Sequence, residues 1–156
     1  MSIAITRADG DRDMEIVREL FEEYQKVIDV DLCFQDFEKE LKSLPGAYAP
    51  PKGCLLLARD GEEVAGVVGM WPHSKGGAEM KRLYVRPPWR GSGLGRVLAE
   101  VVVEAAIEAG HKSICLDTLG FMAEARKLYK SLGFVEIPAY YDNPLDDVLY
   151  MELSLE

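Results

Sequence analysis

Apolar and polar positions in the first third of the chain predict one strand followed by two helices. Strand-like alternation runs through SIAITRA, and helical spacing of apolar residues runs through DMEIVRELFEEYQKVI. The side of this helix that we expect to pack carries Ile16, Leu20, Tyr24 and Val27. A second helix is expected over FQDFEKELKSL, and the proline- and glycine-rich segment PGAYAPPKG ends it.

The rest of the chain predicts strands interleaved with two more helices. A hairpin is expected in CLLLARDGEEVAGVVGMW around Asp60-Gly61, and a further strand in GGAEMKRLYV before Pro87-Pro88. A helix from about Leu94 to Ala109 follows. The strand KSICLDT, the helix FMAEARKLYKSL, the strand FVEI, a loop and the strand VLYMELSL complete the chain. This order predicts one α+β domain over residues 1–156 with a mixed sheet.

Composition limits the class of protein. The chain has 156 residues, of which 48% are hydrophobic and 29% charged, as in a soluble globular domain. No apolar run reaches the roughly 18 residues of a membrane span, and MSIAITRADGDRD lacks a signal-peptide pattern, so we expect a cytoplasmic protein without membrane attachment. The net charge of −9 argues against general nucleic-acid binding.

Cysteine and histidine positions give no indication of a metal site. The three cysteines, Cys33, Cys54 and Cys115, have no metal-ligand spacing, and His73 and His111 are the only histidines. Cys54 and Cys115 lie in apolar runs, which is typical of buried free thiols in a reducing compartment.

The glycine-rich segment before the third helix is the most informative local pattern. Gly91, Gly93 and Gly95 remove side chains where the helix begins, and its first N–H groups have no partner within the helix. A phosphate can approach such amides closely, and Arg90 and Arg96 add charged donors. The alternative is a flexible loop with solvent-exposed arginines. Neither the Walker pattern nor the dinucleotide-binding glycine pattern fits this segment.

The helix after these glycines is amphipathic. A polar stripe comprises Arg96, Glu100, Glu104 and Glu108. We expect the core-facing positions to be Leu94, Val97, Leu98, Val101 and Ala105. A packed helix makes its own start a rigid platform for an anion.

Three segments together resemble the GNAT superfamily of acyl-CoA-dependent N-acyltransferases. RGSGLG, Arg90 to Gly95, matches the family's [QR]-x-x-G-x-[GA] loop, MKRLYVRPPW is similar to the preceding strand, and ARKLYKSLGF to its late tyrosine helix. The resemblance covers about Gly53 to Leu155 well. It implies a single GNAT-like domain with a mixed, mostly antiparallel sheet of about seven strands and about four helices. It also implies acetyl-CoA as co-substrate and no metal.

The resemblance assigns a coenzyme site. It implies that backbone amides of the loop bind the CoA pyrophosphate, through Arg90, Gly91, Ser92, Gly93, Leu94, Gly95 and Arg96. It further implies that backbone groups of Leu83, Tyr84 and Val85 hold the pantetheine like an added strand. Many members have an asparagine where this chain has Met122, so that hydrogen bond is missing here or comes from Thr118.

Acetyl transfer to an amine needs an acid for the departing thiolate, and Tyr129 suits that task. A tyrosine with an ordinary pKa near ~10 is protonated at neutral pH and can donate. In the family this tyrosine lies beside the thioester sulfur. The alternative is an aromatic side chain that only packs the helix on the sheet beside Leu128 and Leu132.

The base that deprotonates the amine has several candidates. Glu79 shares strand parity with Lys81 and Leu83, so it faces the cleft or else the solvent. Asp117 at the end of the next strand is a second candidate, and a water relay is a third. A covalent route through Cys115 is disfavoured, because an apolar strand does not stabilise a thiolate.

The acceptor site is the least determined feature. Aromatic and histidine side chains that could line it are Trp71, His73, Tyr140 and Tyr141, on predicted loops, with Glu22, Glu23 and Asp142 as ammonium partners.

The resulting hypothesis is an acetyl-CoA-dependent N-acetyltransferase of a small amine or amino-acid-like metabolite. The alternatives are a protein N-terminal or lysine acetyltransferase and a CoA-binding sensor without catalysis. Homodimers are common in such families, but the sequence identifies no interface.

Overall fold

One seven-stranded sheet organises the computed structural model, which describes residues 3–28, 36–73, 76–119, 122–141 and 147–156. Its strands are β1 (Ala4–Arg7), β2 (Cys54–Asp60), β3 (Glu63–Pro72), β4 (Ala78–Val85), β5 (Ser113–Leu119), β6 (Val135–Ile137) and β7 (Val148–Ser154). They lie in the order β1-β2-β3-β4-β5-β7-β6. All neighbours are antiparallel except β4 and β5, which are parallel.

Four α-helices cover the sheet: α1 (Gly10–Ile28), α2 (Phe37–Lys42), α3 (Leu94–Glu108) and α4 (Ala123–Ser131). Helix α1 begins beside the acidic residues Asp11 and Asp13, which suit the positive end of its dipole. Gly61 adopts a φ of 63° in the turn between β2 and β3, as expected for the hairpin. The predicted α+β fold, with about seven strands and four helices, is confirmed.

Each face of the sheet has its own apolar core. On one face, α3 and α4 pack on the inward side chains of β2 to β5, including Leu56, Met80 and Leu116. On the other face, α1 and α2 pack on Leu57, Val67 and their neighbours. Burial on both faces explains why the central strands are nearly continuous in apolar residues.

Three local expectations were wrong in detail. Val97 of α3 has 43% of its surface exposed and Val27 of α1 has 54% exposed, although both were expected to pack. In each helix the following residue, Leu98 or Ile28, takes the inward position, so the valine lies about 100° further round. The second helix begins at Phe37 and is shorter than its pattern suggested.

The two parallel strands at the centre of the sheet separate soon after they meet. Only Ala78–Ile114 and Glu79–Cys115 are paired between β4 and β5. Both strands continue beyond this point, β4 to Val85 and β5 to Leu119. The resulting opening, which we call the β4–β5 seam, exposes strand edges that no other described strand covers.

Candidate active site

Helix α3 begins at a glycine with free amides around it. Gly93 precedes the helix with a φ of 85°, and Gly91 has a φ of 79°, both in the region that favours glycine. A Cβ at either position would meet no atom within 4 Å, so the space beside the loop is open. No described side chain caps the helix, and its first turn carries no acidic residue. The helix start is therefore suited to an anion.

The two arginines that flank this loop have partners within the protein. The Nε atom of Arg90 donates to the carbonyl oxygen of Val85 at 2.9 Å. A guanidinium nitrogen of Arg96 donates to the hydroxyl of Ser131 at 2.6 Å, which joins the start of α3 to the end of α4. The Nε atom of Arg96 also lies 3.5 Å from the carboxylate of Glu100, and both arginines remain exposed to solvent.

Strand β4 contains a bulge that changes which way its last residues face. The pairing with β3 shifts register between Val67 and Gly69, and Arg82 has a φ of 61°. Leu83 consequently packs in the α3 core with Met80, on the face opposite Glu79. The expectation that Leu83 shares a face with Glu79 was wrong, because a bulge adds one residue to the alternation.

The predicted pantetheine residues lie at the edge of the seam. Val85 and Tyr84 pair with Gly66 and Val67 of β3 on one side. Their other edge faces the seam, where β4 and β5 are no longer paired. The edge of the segment from Leu83 to Val85 is therefore open to an extended ligand, although the carbonyl oxygen of Val85 already accepts a hydrogen bond from Arg90 Nε.

Tyr129 lies inward on α4, where its ring contacts that of Phe134 with 5.8 Å between centroids. Burial raises the pKa of Tyr129 well above its ordinary value, and electrostatic interactions with Tyr24 and with the carboxylate of Asp117 raise it further. The hydroxyl is therefore held in the protonated form at neutral pH. The packing interpretation of Tyr129 and the acid interpretation are compatible in this position.

Glu79 is buried at the point where β4 and β5 part, so the solvent-facing alternative was wrong. Its carboxylate accepts hydrogen bonds from Trp71 Nε1 and from the Tyr140 hydroxyl, both at 2.8 Å. The Nζ atom of Lys81 lies 3.6 Å from the same carboxylate and 5.3 Å from the centroid of the Trp71 ring. Burial and the charge of Glu79 raise the pKa of Tyr140.

Asp117 lies on β5 across the seam. It accepts a hydrogen bond from the Tyr141 hydroxyl, and its negative charge raises the pKa of Tyr24, although burial is the larger cause.

The aromatic candidates for the acceptor site meet around Glu79, although Trp71 belongs to β3 rather than to a loop. The rings of His73 and Tyr140 are 4.8 Å apart, and Tyr140 also contacts Tyr141. Of the acidic candidates, Glu22 and Glu23 do not join this group. Glu23 binds Arg86 at 2.7 Å, Glu22 is exposed, and Asp142 lies outside the described residues.

Arg126 is a residue that the sequence analysis missed. It lies on α4 one turn before Tyr129, and its Nε atom is buried without a hydrogen-bond partner in the described part of the chain. A buried donor without a partner is costly, so such an atom is a marker for a bound oxygen acceptor. Helical spacing from Tyr129 was the sequence signal that could have identified it.

The described thiols do not form a nucleophilic or metal site. Burial raises the pKa of Cys54 to about 11 and that of Cys115 to about 12, so both stay protonated at neutral pH. Within the described ranges, no group of three or more His, Cys, Asp or Glu side chains could hold a metal ion. The described helices include none with the length and apolar character that crossing a membrane requires. Cys33 lies outside these ranges.

Comparison with known proteins agrees with this geometry. The profile of the acetyltransferase (GNAT) family matches residues 14–134. An uncharacterized N-acetyltransferase of Schizosaccharomyces pombe is 38% identical over 156 residues, which cover 99% of this chain and 96% of that protein.

Two solved structures share the fold. A GNAT-family acetyltransferase of Staphylococcus aureus has a TM-score of 0.81 at 21% identity, covering 99% of this chain and all of that one. A Salmonella typhimurium protein solved with its cofactor acetyl-CoA has a TM-score of 0.70 at 22% identity, covering 100% of this chain and 95% of that chain. The chain belongs to the GNAT family and is an acetyl-CoA-dependent acyltransferase.

Proposed function

We propose that the protein transfers the acetyl group of acetyl-CoA to the primary amine of a small, amino-acid-like metabolite. The observation that carries this proposal is the convergence of two features at the β4–β5 seam. The uncapped start of α3 offers free amides to a diphosphate, and the unpaired edge of β4 continues from it. A phosphorylated ligand with an extended arm suits this combination.

The coenzyme is proposed to bind along this line. Its pyrophosphate contacts the loop from Arg90 to Arg96, mainly through main-chain N–H groups, and its pantetheine arm follows Leu83, Tyr84 and Val85. Arg126 is proposed to donate from its Nε atom to an oxygen of the bound substrates. The open space beside Gly91 and Gly93 supports the first of these contacts.

The proposed reaction is a direct attack of the neutral amine on the thioester carbonyl carbon. A C–N bond forms, the C–S bond breaks, and the amine loses one proton to a base. The departing thiolate takes a proton from the Tyr129 hydroxyl, whose raised pKa keeps it protonated until then. Main-chain amides of β4 polarise the carbonyl oxygen.

Glu79 is proposed as the base, directly or through a water molecule. It is a buried carboxylate at the last paired position of β4, so it lies where the seam opens. Asp117 is the second candidate, on β5. A covalent route through Cys115 is not supported, because the raised pKa keeps that thiol protonated.

A small metabolite is the acceptor class that we favour. Trp71, Tyr140 and Tyr141 place aromatic rings at the seam, and these rings contact the carboxylates of Glu79 and Asp117. Aromatic rings beside carboxylates suit an ammonium group. A human relative named N-acetylaspartate synthetase is 33% identical over 86 residues, covering 54% of this chain and 28% of that protein, and its name supports a metabolite acceptor.

The test is a thiol-release assay with acetyl-CoA and a panel of free amines, amino acids and peptides. Turnover with free amines supports the proposal. Turnover with peptides alone favours a protein acetyltransferase, and coenzyme binding without release of thiol by any acceptor favours a sensor. The Tyr129→Phe variant should bind acetyl-CoA normally and lose about 10²- to 10⁴-fold in kcat. A full chemical rate in this variant would remove Tyr129 from the mechanism.

A further inference from the structure

The bulge of β4 is formed by a charged residue in a conformation that glycine would adopt more easily. Arg82 has a φ of 61°, and its side chain is only 3% exposed. A Cβ disfavours this left-handed region, so the surrounding structure must hold Arg82 there. The bulge matters because it turns Leu83 to the α3 side and leaves Tyr84 in the α1 core.

A single helix residue holds this arginine. The carboxylate of Glu40 on α2 accepts hydrogen bonds from Nε and Nη2 of Arg82, at 3.2 and 2.9 Å. The result is a bidentate ion pair in which both side chains are buried. The guanidinium also lies 5.1 Å from the centroid of the Phe37 ring, on the same helix. Burial lowers the pKa of Arg82, but the charge and hydrogen bonds of Glu40 outweigh this effect and raise it, so the guanidinium stays protonated.

The same glutamate connects to the proposed base. Glu40 accepts a hydrogen bond from the Tyr48 hydroxyl at 2.8 Å, and the Tyr48 ring stacks on Trp71 with 4.9 Å between centroids. Trp71 in turn donates to Glu79. A continuous set of contacts therefore runs from Arg82 through α2 to the carboxylate at the seam.

We propose that Arg82 is a positioning residue for both substrates, acting on the coenzyme strand through its left-handed backbone and on the proposed base through its ion pair with Glu40. Its left-handed backbone sets the direction of the main-chain groups from Leu83 to Val85. Its ion pair fixes α2 against β4 and, through Tyr48 and Trp71, the orientation of Glu79. This inference rests on the proposed function, because it concerns the coenzyme strand and the base of that reaction.

The two roles can be separated by two substitutions at one position. Arg82→Ala and Arg82→Gly both remove the ion pair, but only glycine accepts the left-handed backbone without strain. We expect Arg82→Ala to weaken acetyl-CoA binding about tenfold and Arg82→Gly to stay within about threefold of the wild type. Both should lower kcat/KM for the amine about tenfold or more, because Glu79 loses its fixed orientation.

The isosteric Glu40→Gln variant tests the ion pair without a backbone change and replaces the Arg82 variants if these fail to fold. It should lower kcat/KM for the amine and leave the Kd for acetyl-CoA within about threefold. Arg82→Lys, which keeps the charge, should restore part of the loss. The control is Asp13→Asn, which breaks the 2.7 Å pair of α1 with Arg59 on β2 and should change neither constant.

Calorimetry with acetyl-CoA and steady-state assays on folded protein decide the outcome. Constants equal to those of the wild type in Glu40→Gln and both Arg82 variants, with only a lower Tm, would overturn the inference. Equal loss of coenzyme affinity in Arg82→Ala and Arg82→Gly would overturn the role of the bulge. Failure of the wild type itself to bind acetyl-CoA or turn over any amine would instead contradict the proposed function.

Discussion

The carboxylate of Glu79 accepts a hydrogen bond from the hydroxyl of Tyr140 at 2.8 Å, although 61 residues separate them in the chain. Trp71 Nε1 donates to the other carboxylate oxygen at the same distance. Each oxygen thus has its own donor, and the carboxylate is fixed in one orientation. Such fixation is what a reacting group needs, since geometric tolerance in catalysis is small.

Replacement of Glu79 by glutamine should separate its charge from its shape. We expect Glu79→Gln to fold, because the amide oxygen still accepts one hydrogen bond, and to lose about 10²- to 10⁴-fold in kcat. The same change at the exposed Glu136 of β6 is the control. Full activity in Glu79→Gln, together with a large loss in Asp117→Asn, would assign the base to Asp117.

Replacement of Gly93 by alanine should abolish coenzyme binding selectively. The residue has a φ of 85° beside the uncapped helix start, and a methyl group would enter the space that the phosphates are proposed to occupy. Gly61 is a matched control, because it also has a positive φ, 63°, and no neighbour within 4 Å.

Both glycine variants should lose about 1 kcal/mol of stability from backbone strain. Only Gly93→Ala should lose affinity for acetyl-CoA in calorimetry. Equal affinity in the two variants would mean that the coenzyme phosphates bind elsewhere.

Replacement of Arg126 by methionine tests its buried Nε atom, which has no hydrogen-bond partner in the part of the chain that the structure describes. If this atom donates to a bound substrate, Arg126→Met should raise the KM for acetyl-CoA or for the amine about tenfold, as expected for a lost charged hydrogen bond. Stability in the absence of substrates should not fall, because no hydrogen bond of the Nε atom to a described residue is lost. The adjacent, exposed Lys127 supplies the control variant Lys127→Met. Unchanged KM values for both substrates would contradict the assignment.

The buried thiols predict a loss of stability in alkaline solution. Their pKa values rise from an ordinary 9.0 to about 11 for Cys54 and about 12 for Cys115. Above pH 9.0 the unfolded chain releases these protons while the folded protein retains them, so stability falls as pH rises toward the folded values. Each thiol contributes at most about 1.4 kcal/mol per pH unit.

Urea denaturation at about pH 8 and about pH 10.5 measures this change. The Cys115→Ala variant should lose less stability between the two conditions than the wild type, whatever its stability at the lower pH. An identical loss in the variant and the wild type would show that Cys115 does not titrate as expected.

Local sequence patterns predicted most elements of this fold. The hairpin at Gly61 and the helix beginning at Leu94 follow from glycine placement and apolar spacing, which act over a few residues. The boundary errors at α2 and the exposed valines reflect which side of each helix meets the sheet. That choice depends on neighbours distant in the chain.

The candidate site also has parts that the sequence predicted and parts that it did not. The glycine loop and Tyr129 lie on single elements, so their motifs were readable in the sequence. The environment of Glu79 combines Trp71 of β3, Lys81 of β4 and Tyr140 of the loop after β6. The pattern of apolar and polar residues along a single strand does not predict which side chains from other elements surround Glu79.

The amino-acid sequence by itself determined the fold class, the glycine-rich start of α3 and the place of the tyrosine helix, because these depend on local backbone preferences and short spacings. Tertiary structure decided that Leu83 faces away from Glu79, that Arg82 pairs with Glu40, and that the Nε atom of Arg126 lies buried without a partner among the described residues. The physical reason is that a single bulge reverses the alternation of a strand, and only packing against α2 determines where that bulge is stable.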